Sequence, residues 1–324
     1  MQEVSSLKPK IFITRPIPEK ALAMIEAECE VDIWPTSEIL PPTAERLPGL
    51  DGLVTYSHEP VTAEMIASAP NLKVISNVGV GYNHIDAEAA RAQGVAVGNT
   101  PGVLSETTAD TTFAQLLAAA RHLVPAGIYV QEKRWTCYDP NIFHGYDVHH
   151  ATLGIIGMGR IGYEVAKRAL GFDMRVLYYK RTRREDWEAE LGIEYATFDR
   201  LLEESDFITL HVPMSPETHH LIGKAEFQKM KPTAILVNIA RGPVVDSAAL
   251  YEALKNGEIA RAALDVTDPE PIPTDDPLLT LDNALIFPHL GSSTLQTRTR
   301  MATMAAENLL AGLKGEPLPY SVFG

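Results

Sequence analysis

Ala151-Thr-Leu-Gly-Ile-Ile-Gly-Met-Gly-Arg-Ile-Gly162 is the stretch whose reading decides the fold of this chain. It opens as an apolar run of strand length, passes through Gly157, Gly159 and Gly162, and continues to Leu170 with helical spacing. A lone G-x-G-x-x-G is weak, but between a strand and a helix it marks a dinucleotide-binding turn. Gly157 permits the tight turn, Gly159 lets a pyrophosphate approach the backbone, and Gly162 lets the helix lie close to the sheet. The first helical turn, Arg160 and Ile161, offers N–H groups and a partial positive charge to phosphates, and Arg160 adds a full charge. A tight turn without a ligand is the plainer alternative, and the strand-turn-helix context outweighs it.

On both sides, short apolar runs alternate with helical stretches, the pattern of parallel α/β sheets. Downstream, strands are expected at 175–179, 207–211, 234–238, 262–265 and 284–287. Upstream, strands at 10–14, 52–55, 73–76 and 95–97, with helices over 19–29 and 61–69, form a smaller series. Asn99-Thr-Pro-Gly102 is a turn signal, and a long helix is expected over 105–122. The last helical stretch, 294–313, has no strand after it and must pack on something already built, so we assign it to the first series. The expected fold is α/β, with two Rossmann-like domains, each a doubly wound parallel sheet. Residues 1–100 and 290–324 form a flavodoxin-like substrate domain, and residues 101–289 an inserted dinucleotide-binding domain.

The 324 residues are 45% hydrophobic and 22% charged, enough for a sizeable core in two domains. A net charge of −14 argues against general binding to nucleic acid or anionic membranes. Cys29 and Cys137 are the only cysteines and have no metal or CxxC spacing, so two reduced thiols and no metal site are expected. The N-terminal MQEVSSLKPKIFIT has too short an apolar run for a signal peptide, and no later run approaches a membrane span, so a cytoplasmic location is expected.

Against this acidic background, Lys180-Arg-Thr-Arg-Arg184 places four bases within five residues. It follows the expected second strand of the dinucleotide unit, where an acid would accept hydrogen bonds from the ribose 2′-hydroxyl of NAD and repel a 2′-phosphate. Guanidinium groups do the reverse, since they pair bidentately with phosphate. Charge runs are usually solvated surface, but this position and its missing acid favour NADP(H), with NAD(H) the weaker cofactor. Arg181, nearest the strand end, and Arg184 are the candidates. Lys180 and Arg183 are expected to be solvated neighbours, and Glu185 and Asp186 come too late for the ribose.

Three polar residues follow late strands: Arg241 after Asn238-Ile-Ala240, Glu270 after Asp268-Pro269, and His289 after Phe287-Pro288. In an open parallel sheet the C-terminal strand ends line the ligand crevice. Together they suit reduction of a 2-keto acid. Arg241 would clamp the carboxylate and polarise the keto group, His289 would protonate the alkoxide, and Glu270 would hold the ring with its proton available. Each alone has a duller explanation as a loop or turn residue.

These residues, with Asn77-Val-Gly-Val-Gly-Tyr-Asn-His-Ile-Asp86, Asn238-Ile-Ala-Arg-Gly-Pro-Val-Val-Asp246, Leu264-Asp-Val-Thr-Asp-Pro-Glu-Pro271 and Pro288-His-Leu-Gly-Ser292, resemble the D-isomer-specific 2-hydroxyacid dehydrogenase family along essentially the whole chain. Within it the likeness is greatest to glyoxylate/hydroxypyruvate reductases. The resemblance implies Arg241, Glu270 and His289 as catalytic residues, and backbone at Val80 and Gly81 that binds the substrate carboxylate. It also implies Thr108, Ile239 and Asp265 at the nicotinamide; Pro213 and Gly291 complete the assigned cofactor set. Members are homodimers built through the cofactor domains, and Trp135 or Tyr138 matches an aromatic that enters the neighbouring subunit's site. Phosphite-oxidising relatives have lysine at the position of Val80 and formate-oxidising ones glutamine at that of Glu270, which argues against both. NADPH-dependent reductases carry similar arginines after the second strand.

The expected partner is a small 2-keto or 2-hydroxy acid, with glyoxylate and hydroxypyruvate first. A 2-ketogluconate reductase is the runner-up, its longer substrate having to pass the loop Tyr56-Ser-His-Glu-Pro60. A nucleotide-sensing binding protein on the same fold is the alternative of another class.

Overall fold

The structure is a computed structural model that describes residues 8–36, 39–56 and 59–324. Ser57 and His58, in the loop expected to bound the substrate, and the stretch before Lys8 lie outside these residues. The chain forms two compact units, Met1–Leu104 with Thr294–Gly324, and Ser105–Ser293.

The first unit runs β1 (Lys10–Ile13), α1 (Glu19–Glu28), β2 (Glu30–Ile33), α2 (Thr43–Arg46), β3 (Gly52–Thr55), α3 (Ala63–Ala67), β4 (Val74–Asn77), α4 (Ala87–Ala92) and β5 (Ala96–Gly98). The second begins with α5 (Ser105–Ala120), α6 (Leu123–Gln131), β6 (Thr152–Ile156), α7 (Arg160–Leu170), β7 (Arg175–Tyr179), α8 (Glu185–Leu191), β8 (Glu194–Tyr195) and α9 (Phe198–Glu204). It continues with β9 (Phe207–Leu210), α10 (Lys224–Phe227), β10 (Ile235–Asn238), α11 (Ser247–Asn256), β11 (Arg261–Leu264) and β12 (Ala284–Ile286), whereas α12 (Leu295–Leu313) belongs to the first unit.

Among the described residues every pairing between two of these strands is parallel, and an isolated bridge between Gly98 and Ser321 is antiparallel. The first sheet has the order β2-β1-β3-β4-β5, the flavodoxin order. The second is β12-β11-β10-β9-β6-β7-β8, so its strand order reverses between β6 and β9. Such a reversal opens a crevice at the carboxyl ends of the strands.

Alternation along β6 dresses both faces of the second sheet. Leu153 and Ile155 join Phe113 and Leu116 of α5 and Val165 and Ala169 of α7 in one core, while Ile156 joins Leu201, Phe227, Leu250 and Leu254 in the other. In the first unit α12 lies against the sheet so closely that a Cβ on Gly52 would sit 2.8 Å from Leu309 Cδ1. Ser76 Oγ donates to Ala305 O at 2.7 Å across the same contact.

Two strands, β2 and β8, and the helices α2, α4, α6, α8, α9, α10 and α11 were not among the elements located from the sequence. The strand β2 reads Glu-Val-Asp-Ile, an edge strand with half its side chains in water, so it lacks the apolar run of a buried parallel strand. The two-residue strand β8 closes the other sheet's edge. The helix expected over 105–122 ends at Ala120, and α6 follows at a bend of 66°. His122, at φ 53°, makes the break, with its Nδ1 2.8 Å from Arg261 Nη2. Among the described residues no single helix is long and apolar enough to cross a membrane.

Candidate active site

The three glycines after β6 are held for different reasons. Gly157 has φ 102°, and a Cβ there would lie 2.6 Å from the carbonyl carbon of His211. A Cβ on Gly162 would lie 2.5 Å from Gly157 O, so α7 can pack against the turn only without a side chain. At Gly159, the N-cap of α7, nothing lies within 4 Å of the Cβ position. The protein therefore imposes Gly157 and Gly162 but leaves open the space beside Gly159. That is the space a pyrophosphate needs, beside first-turn N–H groups that have no intrahelical acceptor. Arg160 is exposed beside it and Ile161 half-buried. Pro213 follows β9 on the surface, its carbonyl accepting from Thr218 Oγ1 at 2.7 Å.

His211 follows β9 directly, its backbone against this turn. The residue as a whole is only partly buried, but both ring nitrogens are closed off from solvent and lack a hydrogen-bond partner among the described residues. Burial pushes the imidazole pKa down to about 3. The unfolded chain takes up a proton near pH 6.5 and the folded chain does not. The stability this residue contributes is thus complete above that pH and is lost as pH falls toward 3. Between pH 7.5 and 5.5 it should remove about 1 kcal/mol of unfolding free energy. Urea unfolding of His211→Gln should show a correspondingly shallower pH dependence than wild type.

The glycine turn is tied to the end of β7 by Gly157 N–H donating to Tyr179 O at 3.0 Å, which brings the basic stretch beside it. Its four cations differ in environment. Arg183 is bidentate to Glu188 (2.8 and 2.6 Å), and Arg184 to Asp186 (2.9 and 2.6 Å). The Arg184 guanidinium also lies 3.4 Å from the Trp187 ring centroid, and it holds the Asp186 carboxyl down at about 2. Lys180 Nζ is 6.0 Å from that ring. Arg181 is exposed and makes no hydrogen bond or ion pair among the described residues. Arg183 is therefore a structural partner of Glu188 and not merely a solvated neighbour. Tyr178 completes the frame: its hydroxyl accepts from Arg184 N–H (2.8 Å) and donates to Glu188 (2.6 Å), and burial first, then Glu188, raises its pKa to about 12.

Arg241, Glu270 and His289 come together at the ends of β10, β11 and β12. His289 Nδ1 is 2.7 Å from Glu270 Oε1. Arg241 donates through Nη1 to Ala240 O at 2.7 Å. Burial lowers its pKa, and the charge of Glu270 acts in the opposite sense. Gly242 makes the approach possible, since a Cβ there would overlap the Thr267 carbonyl at 1.9 Å and hold the Arg241 strand end off the 267–270 loop.

Asp265 organises the backbone beneath His289. Its carboxylate accepts from Leu290 N (2.9 Å), Gly291 N (2.8 Å) and Gln115 Nε2 (2.7 Å), and its carbonyl accepts from His289 N (3.0 Å). His289 is thereby held at φ 55°, a left-handed conformation that costs a non-glycine residue of order 1–3 kcal/mol. Gly291 packs between Asp265 and the buried Ile239, its Cβ position 3.2 Å from Asp265 Oδ2. Thr108 is buried on α5, and Thr111 Oγ1 donates to Gly291 O at 3.2 Å. Gln115 and Thr111 were not anticipated. The available signal was a polar stripe along the expected helix, with Thr108, Thr111, Thr112 and Gln115 at helical spacing. Val80 and Gly81 belong to the first unit, in the loop after β4. Trp135 and Tyr138 are 58% and 82% exposed.

Comparison with known proteins agrees with this geometry. The family model for the NAD binding domain of D-isomer specific 2-hydroxyacid dehydrogenases matches residues 113–291. The chain is 52% identical over 321 residues to a glyoxylate reductase of Korarchaeum cryptofilum (strain OPF8), covering 98% of this chain and 96% of that one. The solved TT0316 protein of Thermus thermophilus superposes with a TM-score of 0.90 at 44% identity, covering 97% of this chain and 99% of that one. An NADPH-dependent glyoxylate/hydroxypyruvate reductase of Sinorhizobium meliloti, solved with NADP and malonate, has a TM-score of 0.86 at 29% identity, with 97% of each chain covered. A nucleotide turn at a strand-order reversal, a histidine held by a carboxylate, and these full-length likenesses converge: the chain belongs to the D-isomer-specific 2-hydroxyacid dehydrogenase family, oxidoreductases that act on the CH–OH group of 2-hydroxy acids.

Proposed function

We propose that this enzyme reduces small 2-keto acids, glyoxylate and hydroxypyruvate foremost, to 2-hydroxy acids with NADPH. The observation that carries the proposal is the 2.7 Å bond between His289 Nδ1 and Glu270, whose charge acts on the half-buried Arg241. A reduced nicotinamide supplies the hydride when bound. Arg241, Glu270 and His289 are the catalytic residues. The fixed cation of Arg241 binds the carboxylate and polarises the keto oxygen. Because Nδ1 is committed to Glu270, proton exchange with that oxygen falls to Nε2 of His289. Glu270 fixes the ring's orientation and tautomer. Thr108, Ile239, Asp265 and Gly291 border the nicotinamide, and Gly157, Gly159, Arg160, Ile161, Gly162 and Pro213 hold the rest of the dinucleotide.

The preference for NADP(H) over NAD(H) is supported by Arg181, a cation at the strand end without an ion-pair partner among the described residues. Arg184 joins it by exchanging Asp186 for the phosphate. A homodimer is supported by α6, which is rich in apolar residues and buries none of them: Leu123, Val124, Ile128 and Val130 are all exposed, as are Trp135 and Tyr138 beyond it.

Steady-state oxidation of NADPH and NADH with glyoxylate, hydroxypyruvate and 2-ketogluconate tests the proposal. Turnover should be faster with the first two acids than with 2-ketogluconate, and higher in kcat/KM with NADPH. A reversed substrate order would favour a 2-ketogluconate reductase, and no turnover with any acid would leave only the nucleotide-sensing role.

A further inference from the structure

Three consecutive peptide units after β4 are pinned by their carbonyl oxygens. Asn77 Nδ2 donates to Gly79 O (3.1 Å) and Gly81 O (3.0 Å), and Asn99 Nδ2 donates to Val80 O (2.8 Å). Thr100 N–H adds a second bond to Gly79 O at 2.9 Å. In a planar trans peptide the C=O and the following N–H point in opposite directions. Drawing the carbonyls of residues 79, 80 and 81 toward two buried amides therefore turns the N–H groups of Val80, Gly81 and Tyr82 the other way. Val80 and Tyr82 are exposed, and none of the three N–H groups has an acceptor among the described residues. Successive backbone donors in one concave loop form an anion-binding nest.

We propose that Asn77 and Asn99 are positioning residues for carboxylate recognition: they fix the 79–82 loop with its N–H groups outward, so that the loop binds the carboxylate of a 2-keto acid. This rests on the proposed function and deepens it. Both positions need a side-chain donor of this shape and reach, because the partners are carbonyl oxygens, which only accept. Aspartate, of nearly the same shape, would present an acceptor to an acceptor. Asn99 is itself fixed from the C-terminal segment. Its N–H donates to Tyr320 O (3.1 Å) and its carbonyl accepts from Asn308 Nδ2 (3.0 Å), while Asn308 Oδ1 accepts from Tyr320 N (2.9 Å). Asn308 is fully buried, and only a glycine at position 98 leaves room for it, since a Cβ there would lie 2.6 Å from Asn308 Nδ2. The last turn of the chain thus helps to hold a loop that follows β4.

The test compares wild type with Asn99→Asp and Asn77→Ala, two variants so that misfolding of one leaves the other. Oxalate affinity is read by calorimetry. KM and kcat are read with glyoxylate and with its neutral methyl ester. In each variant oxalate affinity should fall, and KM for glyoxylate rise, by about 10-fold or more, the scale of a charge-assisted hydrogen bond. KM for NADPH and the kinetics on the ester should stay near wild type. Equal losses on acid and ester, or unchanged oxalate affinity in both variants, would overturn the nest and leave the proposed function standing. Conversely, wild type that binds oxalate but reduces no 2-keto acid, with oxalate binding lost in the variants, would overturn the proposed function and support the nest.

Discussion

Substitution of His289 by alanine should lower kcat for 2-keto acid reduction by about a thousandfold, within the range for loss of a general acid. The expectation follows from where the side chain is anchored. Its Nδ1 is 2.7 Å from Glu270, while its backbone is held separately by Asp265 O and Phe287 O, each at 3.0 Å. Alanine removes the ring and leaves those backbone bonds, together with the Asp265 bonds to Leu290 and Gly291, in place. The glycine turn is built on β6 and α7 and takes no support from the ring, so the cofactor dissociation constant should stay close to wild type. Fluorescence titration of NADPH beside steady-state kinetics checks both halves. A kcat within a few-fold of wild type would remove His289 from proton transfer, and a large loss of cofactor affinity would make its role structural.

The second large effect is expected at the basic stretch. Arg181→Asp combined with Arg184→Ala should raise KM for NADPH by about a hundredfold relative to NADH, since two phosphate contacts are lost and a repelling carboxylate is introduced. The two arginines should not contribute equally. Arg181 starts without an ion pair among the described residues, whereas Arg184 must first leave its bidentate bonds to Asp186 and its contact with Trp187. Arg181→Asp alone should therefore produce most of the change, and Arg184→Ala alone little. Measuring kcat/KM with both cofactors for the two single variants and the double variant decides it. An unchanged NADPH-to-NADH ratio in the double variant would mean that the stretch is only a charged rim of α8.

Much of the fold is legible locally because its signals are local. The alternation of buried strands with helices, and three glycines set between an apolar run and a helical pattern, need no tertiary knowledge. Arg241, Glu270 and His289 were singled out as candidates by the same means, since the carboxyl ends of strands in an open parallel sheet line one crevice. The features that were missed depend on distant partners. The strand β2 is a strand because its backbone pairs with β1, not because Glu-Val-Asp-Ile is apolar. At the break, His122 meets Arg261, a partner far along the chain that no local pattern shows. A charge count over 180–184 could not show that Glu188 and Asp186 reach back to occupy two of the arginines. Asn77 and Asn99 look like ordinary turn residues in sequence, and their common target is apparent only from the direction in which three carbonyls point.

The central claim is that this enzyme transfers hydride from reduced nicotinamide directly to the keto carbon of a small 2-keto acid. It is tested by incubating the purified protein with NADPH deuterated at both C4 positions and glyoxylate, and analysing the product by mass spectrometry. The expected product is glycolate carrying one deuterium at C2, formed in equal amount to the NADPH consumed. Glycolate without deuterium, or NADPH left unconsumed in the presence of glyoxylate, would contradict it.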